Sequence, residues 1–172
     1  MRGQLRKSGL VAAAAAALCV SMPAQAAMSC WNETQLAAAK VRDLQSRLMV
    51  ASLRCQALGV DILPAYNRFV VANRETIQGA NRIIMAQFRS GYGGQAELYY
   101  DRFATALANA YGDDATDRTI CADTATIAEE AAAAAGNVDA LVALEDRFGF
   151  APALPGGRCG ATFAAASVAG TD

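Results

Sequence analysis

The stretch VRDLQSRLMVASLRCQAL, from Val41 to Leu58, decides the class of this fold. Its apolar residues recur at alternating intervals of three and four, which is the spacing of one buried face of an α-helix. They are Val41, Leu44, Leu48, Ala51, Cys55 and Leu58. Asn32 and Gln35 form a capping-box pattern before this stretch, and Gly59 follows it as a stop signal. We therefore expect one long helix from Asn32 to about Leu58.

Four further segments carry helical periodicity. We predict helices from Asp61 to about Arg89, from Gln95 to Tyr111 and from Arg118 to Ala135, and a short one from Asn137 to about Phe148. A glycine-rich break at residues 90–94 and an acidic loop at residues 112–117 separate them. No segment shows convincing strand alternation. The expected fold is all-α, an up-down bundle of four main helices plus a short fifth helix.

The first 26 residues have the pattern of a secretory signal peptide. Three basic residues precede an apolar run from Leu10 to Val20, and Ala24-Gln25-Ala26 is a small-x-small cleavage site. We expect a single helical domain over residues 27–163 and a loose tail over residues 164–172. No later apolar run is long enough to span a membrane. The chain is therefore predicted to be periplasmic or secreted.

Four cysteines remain after the leader, at positions 30, 55, 121 and 159, and an even count in an exported chain predicts two disulfides. Cys30 and Cys55 lie at opposite ends of the first helix. At 1.5 Å per residue they are about 35 Å apart, beyond the reach of a disulfide. In an up-down bundle the first helix ends where the fourth begins. We therefore predict the pairs Cys55–Cys121 and Cys30–Cys159.

Charge is distributed unevenly along the chain. Without the leader, twelve basic and sixteen acidic residues give a net charge of −4. Residues 27–112 carry a net charge of +3, whereas residues 113–172 carry −7. Either the two halves attract each other within one domain, or the first half presents a basic face to an anionic partner. The acidic balance of the whole chain argues against a nucleic-acid-binding protein.

Four arginines of the second predicted helix form the candidate partner-binding surface. On a helical wheel they share the arc opposite the apolar face. They are Arg68, Arg74, Arg82 and Arg89. They form either an ordinary solvated face or a docking surface for an acidic envelope protein, an anionic glycan or a lipid. Val71 and Met85 lie among them, and apolar groups in such a place favour a contact surface.

Asn73 falls in the middle of the apolar face of the same helix. A buried amide without hydrogen-bond partners costs about 1–3 kcal/mol. Two interpretations follow. Asn73 is a structural residue bonded to a neighbouring helix, or it is the polar anchor of a small-ligand pocket that also contains Tyr66.

Several chemistries are excluded. The chain has no histidine, which removes His-based triads and most zinc sites, and it has no Cys-x-x-Cys, Walker A or dinucleotide-binding motif. Glu97 and Asp101, four residues apart, form either a solvated helix face or a glycosidase-like or metal-binding pair. We expect no catalytic residue, metal or cofactor. The leading hypothesis is a non-enzymatic binding protein of the cell envelope, and the alternatives are a carboxylate-dependent hydrolase of envelope glycans and a small-ligand carrier.

The segments VRDLQSRLMVASLRC, residues 41–55, and YDRFATALANAYG, residues 100–112, resemble small exported four-cysteine helical proteins of alphaproteobacteria. This resemblance covers most of the chain after the leader. It implies no active site and no residue roles. An assignment to adenosylhomocysteine hydrolase is not supported, because that enzyme resembles a long Rossmann-type protein that binds NAD. This chain has neither the length nor the glycine fingerprint of such a protein.

Overall fold

The computed structural model describes residues 28–112, 115–147 and 153–160. The predicted signal peptide, the predicted loose tail and part of the predicted acidic loop, Asp113 and Asp114, lie outside the described residues. So does Phe148, the expected end of the fifth predicted helix. The boundaries of the predicted domain at residues 27 and 163 therefore stay predictions.

Six α-helices make up most of the described chain. They are α1 (Glu33–Ala57), α2 (Leu63–Ala72), α3 (Arg74–Tyr92), α4 (Ala96–Gly112), α5 (Arg118–Ala133) and α6 (Val138–Arg147). A short 3-10 turn, Gly93–Gln95, joins α3 to α4. Within the described residues there is no β-strand, only one isolated bridge between Trp31 and Arg158. The predicted all-α class is confirmed.

The helix α1 lies at the centre of the bundle, and all five other helices contact it. It begins as predicted, because the side chains of Asn32 and Gln35 each bond the backbone N–H of the other. It is buried around most of its circumference and not along one face alone. The small residues Ala39, Ser46 and Ser52 are buried outside the predicted seam. The single-face interpretation was therefore too narrow, because small side chains let neighbours pack on several sides.

The second predicted helix is interrupted at Asn73 and forms two helices, α2 and α3. The Asn73 side chain donates from Nδ2 to the carbonyl oxygens of Phe69 (3.0 Å) and Ala131 (2.8 Å). Its Oδ1 accepts a hydrogen bond from the backbone N–H of Gly136 (2.8 Å). These bonds attach the α2–α3 junction to α5 and to the turn that follows it. The hydrogen bonds of Asn73 therefore explain the interruption, which has no proline or glycine next to it.

Two disulfides hold the two ends of the bundle, with the predicted connectivity. Cys55 at the end of α1 pairs with Cys121 at the start of α5, with Cα atoms 5.7 Å apart. Cys30 pairs with Cys159, with Cα atoms 4.9 Å apart. The second bond joins the segment before α1 to the segment after α6. Both pairs confirm the prediction made from helix length and bundle order.

Trp31 reinforces the junction between the two ends of the domain. Its backbone N–H donates to the carbonyl of Gly157, and its indole Nε1–H donates to the carbonyl of Pro155 at 2.7 Å. Its ring is buried and packs against Phe88 of α3 and Phe103 of α4. The aromatic core therefore anchors both terminal segments.

Candidate functional site

The arginines of α3 lie on the side of the helix opposite the core. Arg74, Arg82 and Arg89 are all exposed. At 100° per residue they fall within an arc of about 80°, and at 1.5 Å per residue they span about 22 Å of the helix axis. The buried residues of α3 fall on the other side: Ile77, Ala80, Ile84, Gln87, Phe88 and Gly91. The three arginines thus form one cationic surface, called here the α3 face.

The α3 face has no intramolecular partner within the part of the chain that the structure describes. None of its three arginines makes a hydrogen bond, an ion pair or a ring contact there. Most other basic residues are used inside the fold. Arg118 donates to the carbonyl of Leu58 at 3.2 Å, and the guanidinium of Arg102 lies over the ring of Tyr99. The α3 face is therefore the concentration of positive charge that the described fold leaves available.

Arg68, the fourth arginine of the candidate partner-binding surface, has a different role. It lies on α2 and forms a two-point ion pair with Glu129 of α5, with Nε 3.1 Å from Oε2. The hydrogen bond from Arg68 lowers the pKa of Glu129 below its ordinary value. Arg68 is thus already paired with Glu129. The candidate partner-binding surface therefore contains only the three arginines of α3.

Attraction between the two halves of the chain accounts for two ion pairs. Lys40 pairs with Asp146, and Arg68 pairs with Glu129. Each pair joins a basic residue from residues 27–112 to an acid from residues 113–172. Attraction between the two halves therefore explains part of the uneven charge distribution, but the arginines of the α3 face do not take part in it.

The residues of the alternative hypotheses are placed elsewhere in the bundle. Both N–H donors of the Asn73 amide and its oxygen bond to the protein backbone, which favours the structural interpretation of this residue. Tyr66 is half-buried and packs against Phe69. Burial raises the pKa of the Tyr66 hydroxyl above its ordinary value. Glu97 and Asp101 are exposed on α4, as expected of a solvated face.

A buried acid cluster is the feature that the sequence reasoning missed. Asp43 of α1 and Glu145 of α6 are both completely enclosed, at 0% exposure. The Arg47 guanidinium lies 3.6 Å from Glu145 and covers the ring of Tyr111 at 4.7 Å from its centroid. Burial first, and then the hydrogen bond and charge of Asp43, raise the pKa of Glu145 to about 9. Burial also raises the pKa of Asp43, against the opposing effects of Glu145, Tyr111 and Arg47.

One proton explains how these two acids coexist in the core. Two ionised carboxylates repel and cannot hydrogen-bond to each other, whereas a neutral acid donates to an ionised one. With Glu145 protonated, one negative charge remains and Arg47 balances it. The closed position of both acids keeps them from any substrate in solvent. Their chemistry in this fold is therefore structural.

The sequence did carry a weak signal for this cluster. Asp43 and Arg47 are four residues apart, a spacing that is usual for a pair on a helix surface. In α1, however, that surface is covered by α6 and α4. Arg47 and Tyr111 also line a cavity of about 230 Å³ near the Cys55–Cys121 disulfide. Arg54, which also lines it, donates to the backbone carbonyls of Tyr111 and Gly112.

Neither a metal site nor a membrane-spanning element is found among these helices. Within the described residues, no group of three or more His, Cys, Asp or Glu side chains is arranged to hold a metal ion. No helix in the same part of the chain has the length and apolar character needed to cross a bilayer. No protein-family model, curated protein or solved structure matches the chain.

Proposed function

We propose that this protein is an exported, non-enzymatic binding protein of the cell envelope and that the α3 face binds an anionic partner. The observation that carries the proposal is the exposure of Arg74, Arg82 and Arg89 on one face without an intramolecular partner in the described chain. Two disulfides fit an oxidising compartment. The signal-peptide pattern of the first 26 residues supports the same location.

Arginine suits this role because its planar guanidinium donates two parallel hydrogen bonds to a carboxylate or phosphate. On α3 the successive arginines are separated by about 12 Å and about 10 Å along the axis. That arrangement favours a surface or polymer with repeated negative charges over one small anion. Exposed charges of this kind attract a partner strongly at low salt and weakly at high salt.

Binding to anionic probes tests the proposal. The protein is mixed with vesicles that contain phosphatidylglycerol, with neutral phosphatidylcholine vesicles and with soluble polyglutamate, at several salt concentrations. We expect binding to at least one anionic probe, absence of binding to the neutral vesicles, and weakening as salt rises. A failure to bind any anionic probe at low salt overturns the proposal.

A pair of charge-matched variants locates the binding surface. The Arg82→Glu, Arg89→Glu double variant reverses two charges of the α3 face. The Arg118→Glu, Arg158→Glu variant makes the same change in net charge at exposed positions outside α3. We expect the first variant to lose binding and the second to keep most of it, with circular dichroism showing that both are folded. Equal losses would mean that net charge, and not the α3 face, controls binding.

A further inference from the structure

Two exposed aliphatic side chains lie on α2, the helix that precedes α3. Val71 is 66% exposed and Leu63 is 38% exposed. They are eight residues apart on one helix, so they lie on the same side of it. Val71 and Arg74 are both exposed on either side of Asn73, whose side chain points inward to α5. Val71 is therefore an exposed aliphatic residue three positions before Arg74, the first arginine of the α3 face.

The outer surface of α2 and α3 combines two kinds of chemistry in order along the chain. Its α2 end is aliphatic and carries the already neutralised Arg68–Glu129 pair. Its α3 end is cationic, with Glu75 as the single acid of that helix. Arginines beside exposed aliphatic side chains are characteristic of helices that lie in a membrane interface, where the charges contact headgroups and the apolar groups enter the acyl boundary.

We propose that the anionic partner is the surface of a lipid membrane, on which Arg74, Arg82 and Arg89 contact acidic headgroups while Val71 and Leu63 enter the outer acyl layer. This inference rests on the proposed function and names the partner of the same surface. Charge complementarity selects an anionic lipid surface over a neutral one. The exposed aliphatic residues select a lipid over a soluble polyanion, which offers no apolar phase to cover them.

Fluorescence of a single introduced tryptophan tests whether residue 71 enters lipid. Trp31, the one native tryptophan, is 1% exposed, so its emission is already that of a buried ring. Val71→Trp adds an exposed reporter. Val138→Trp is the matched control, because Val138 is 40% exposed on α6. We expect a blue shift for the residue 71 reporter with phosphatidylglycerol vesicles, no shift with phosphatidylcholine vesicles, and no shift for the residue 138 reporter with either.

A second pair of variants measures the aliphatic contribution to binding. Replacing Leu63 and Val71 by serine removes apolar area that would leave water in the membrane. We expect the affinity for phosphatidylglycerol vesicles to fall about fivefold to tenfold, while salt-sensitive binding to polyglutamate is unchanged. The control variant Val138→Ser should bind both probes as the unmodified protein does.

The outcomes distinguish a failure of lipid insertion from a failure of the proposed function. If Arg82→Glu, Arg89→Glu abolishes binding but residue 71 shows no shift and the serine variant binds vesicles normally, lipid insertion is overturned and a soluble anionic polymer or acidic protein is favoured. Equal shifts at residues 71 and 138 also overturn it, because they indicate general penetration or unfolding. If the α3 variants bind every probe normally, the proposed function itself fails.

Discussion

The α3 face and the acid cluster around Asp43 and Glu145 are both concentrations of like charge, but they are stabilised in opposite ways. The arginines of α3 lie about 10 Å apart in water, where solvent and salt weaken their repulsion. Asp43 and Glu145 lie in contact in the core. There a shared proton, Arg47 and Tyr111 replace the lost water. The α3 face is exposed and accessible to a partner, whereas the acid cluster is enclosed by the fold.

Burial distinguishes these two groups of charges, because the acids are enclosed and the arginines are exposed. A strongly shifted pKa often marks a functional site. Here the shifted acids are the enclosed ones, and the exposed arginines are the candidate binding groups. If the two regions differ in this way, changes in the acid cluster should affect stability more than changes on the α3 face.

A rise in pH from about 5 to 9 should destabilise the fold through Glu145. Its pKa is about 9 in the folded state and near 4.5 when unfolded, so the folded protein holds a proton that the unfolded chain has lost between those values. The free energy of unfolding should therefore fall as pH rises, with a slope approaching about 1.4 kcal/mol per pH unit. Asp43, whose pKa is also raised, contributes in the same direction. Urea denaturation at pH 5, 7 and 9 measures this slope.

The variant Glu145→Gln is the control for that slope. The amide stays neutral at every pH and still donates a hydrogen bond to Asp43. Its free energy of unfolding should change much less between pH 5 and 9. A slope equal to that of the unmodified protein would place the titrating group elsewhere. Glu129→Gln should leave the slope between pH 5 and 9 intact, because the pKa of Glu129 is lowered and that group acts only as pH falls into the acid range.

Removal of Arg47 should destabilise the fold by about 3 kcal/mol. Arg47→Leu leaves the ionised member of the acid pair in the core without its balancing charge. Urea denaturation at pH 7 gives the change in the free energy of unfolding. Arg82→Leu, the same substitution on the α3 face, should change it by less than about 0.5 kcal/mol. Comparable losses in the two variants would contradict the distinction between the regions.

The hydroxyl of Tyr111 interacts with Asp43, and we expect it to contribute about 1 kcal/mol to the free energy of unfolding. Tyr111→Phe keeps the ring under Arg47 and removes the hydroxyl alone. The loss should appear in the urea midpoint at pH 7, and Tyr99→Phe on α4 serves as a control. An unchanged midpoint would mean that Asp43 does not depend on Tyr111.

The smallest effect on stability should come from the α3 face itself. Arg82→Glu, Arg89→Glu removes no hydrogen bond or ion pair within the described fold, so we expect its free energy of unfolding to change by less than about 0.5 kcal/mol per substitution. Thermal denaturation in parallel with the vesicle assay checks this. A large loss of stability would show that these arginines have a structural role.

Local spacing was enough to predict the helices and, with bundle order, the disulfides. The alternation of Val41, Leu44, Leu48 and Cys55 defines α1 because it depends on residues one turn apart. The length of α1 then excludes one cysteine connectivity. The exposed position of Arg74, Arg82 and Arg89 also follows from the helical wheel, because each residue's angle depends only on its number.

The remaining features depend on contacts between residues distant in the chain. The interruption at Asn73 requires the carbonyl of Ala131, which α5 supplies. Asp43 is buried because it packs against Glu145 of α6. Arg68 is not part of the cationic surface because it pairs with Glu129 of α5. From the sequence alone, a polar residue of a helix is expected to face solvent, because the helix that covers it is not known.

The Cys30–Cys159 disulfide has a mechanical consequence. It closes a loop with a sequence separation of 129 and holds its two Cα atoms 4.9 Å apart. When the chain before Cys30 and the chain after Cys159 are pulled apart, the tension passes through the sulfur–sulfur bond. The helices between them carry almost none of it. An oxidised molecule tethered at both ends should therefore resist stretching as a covalent link does, and reduction should transfer the load to the bundle.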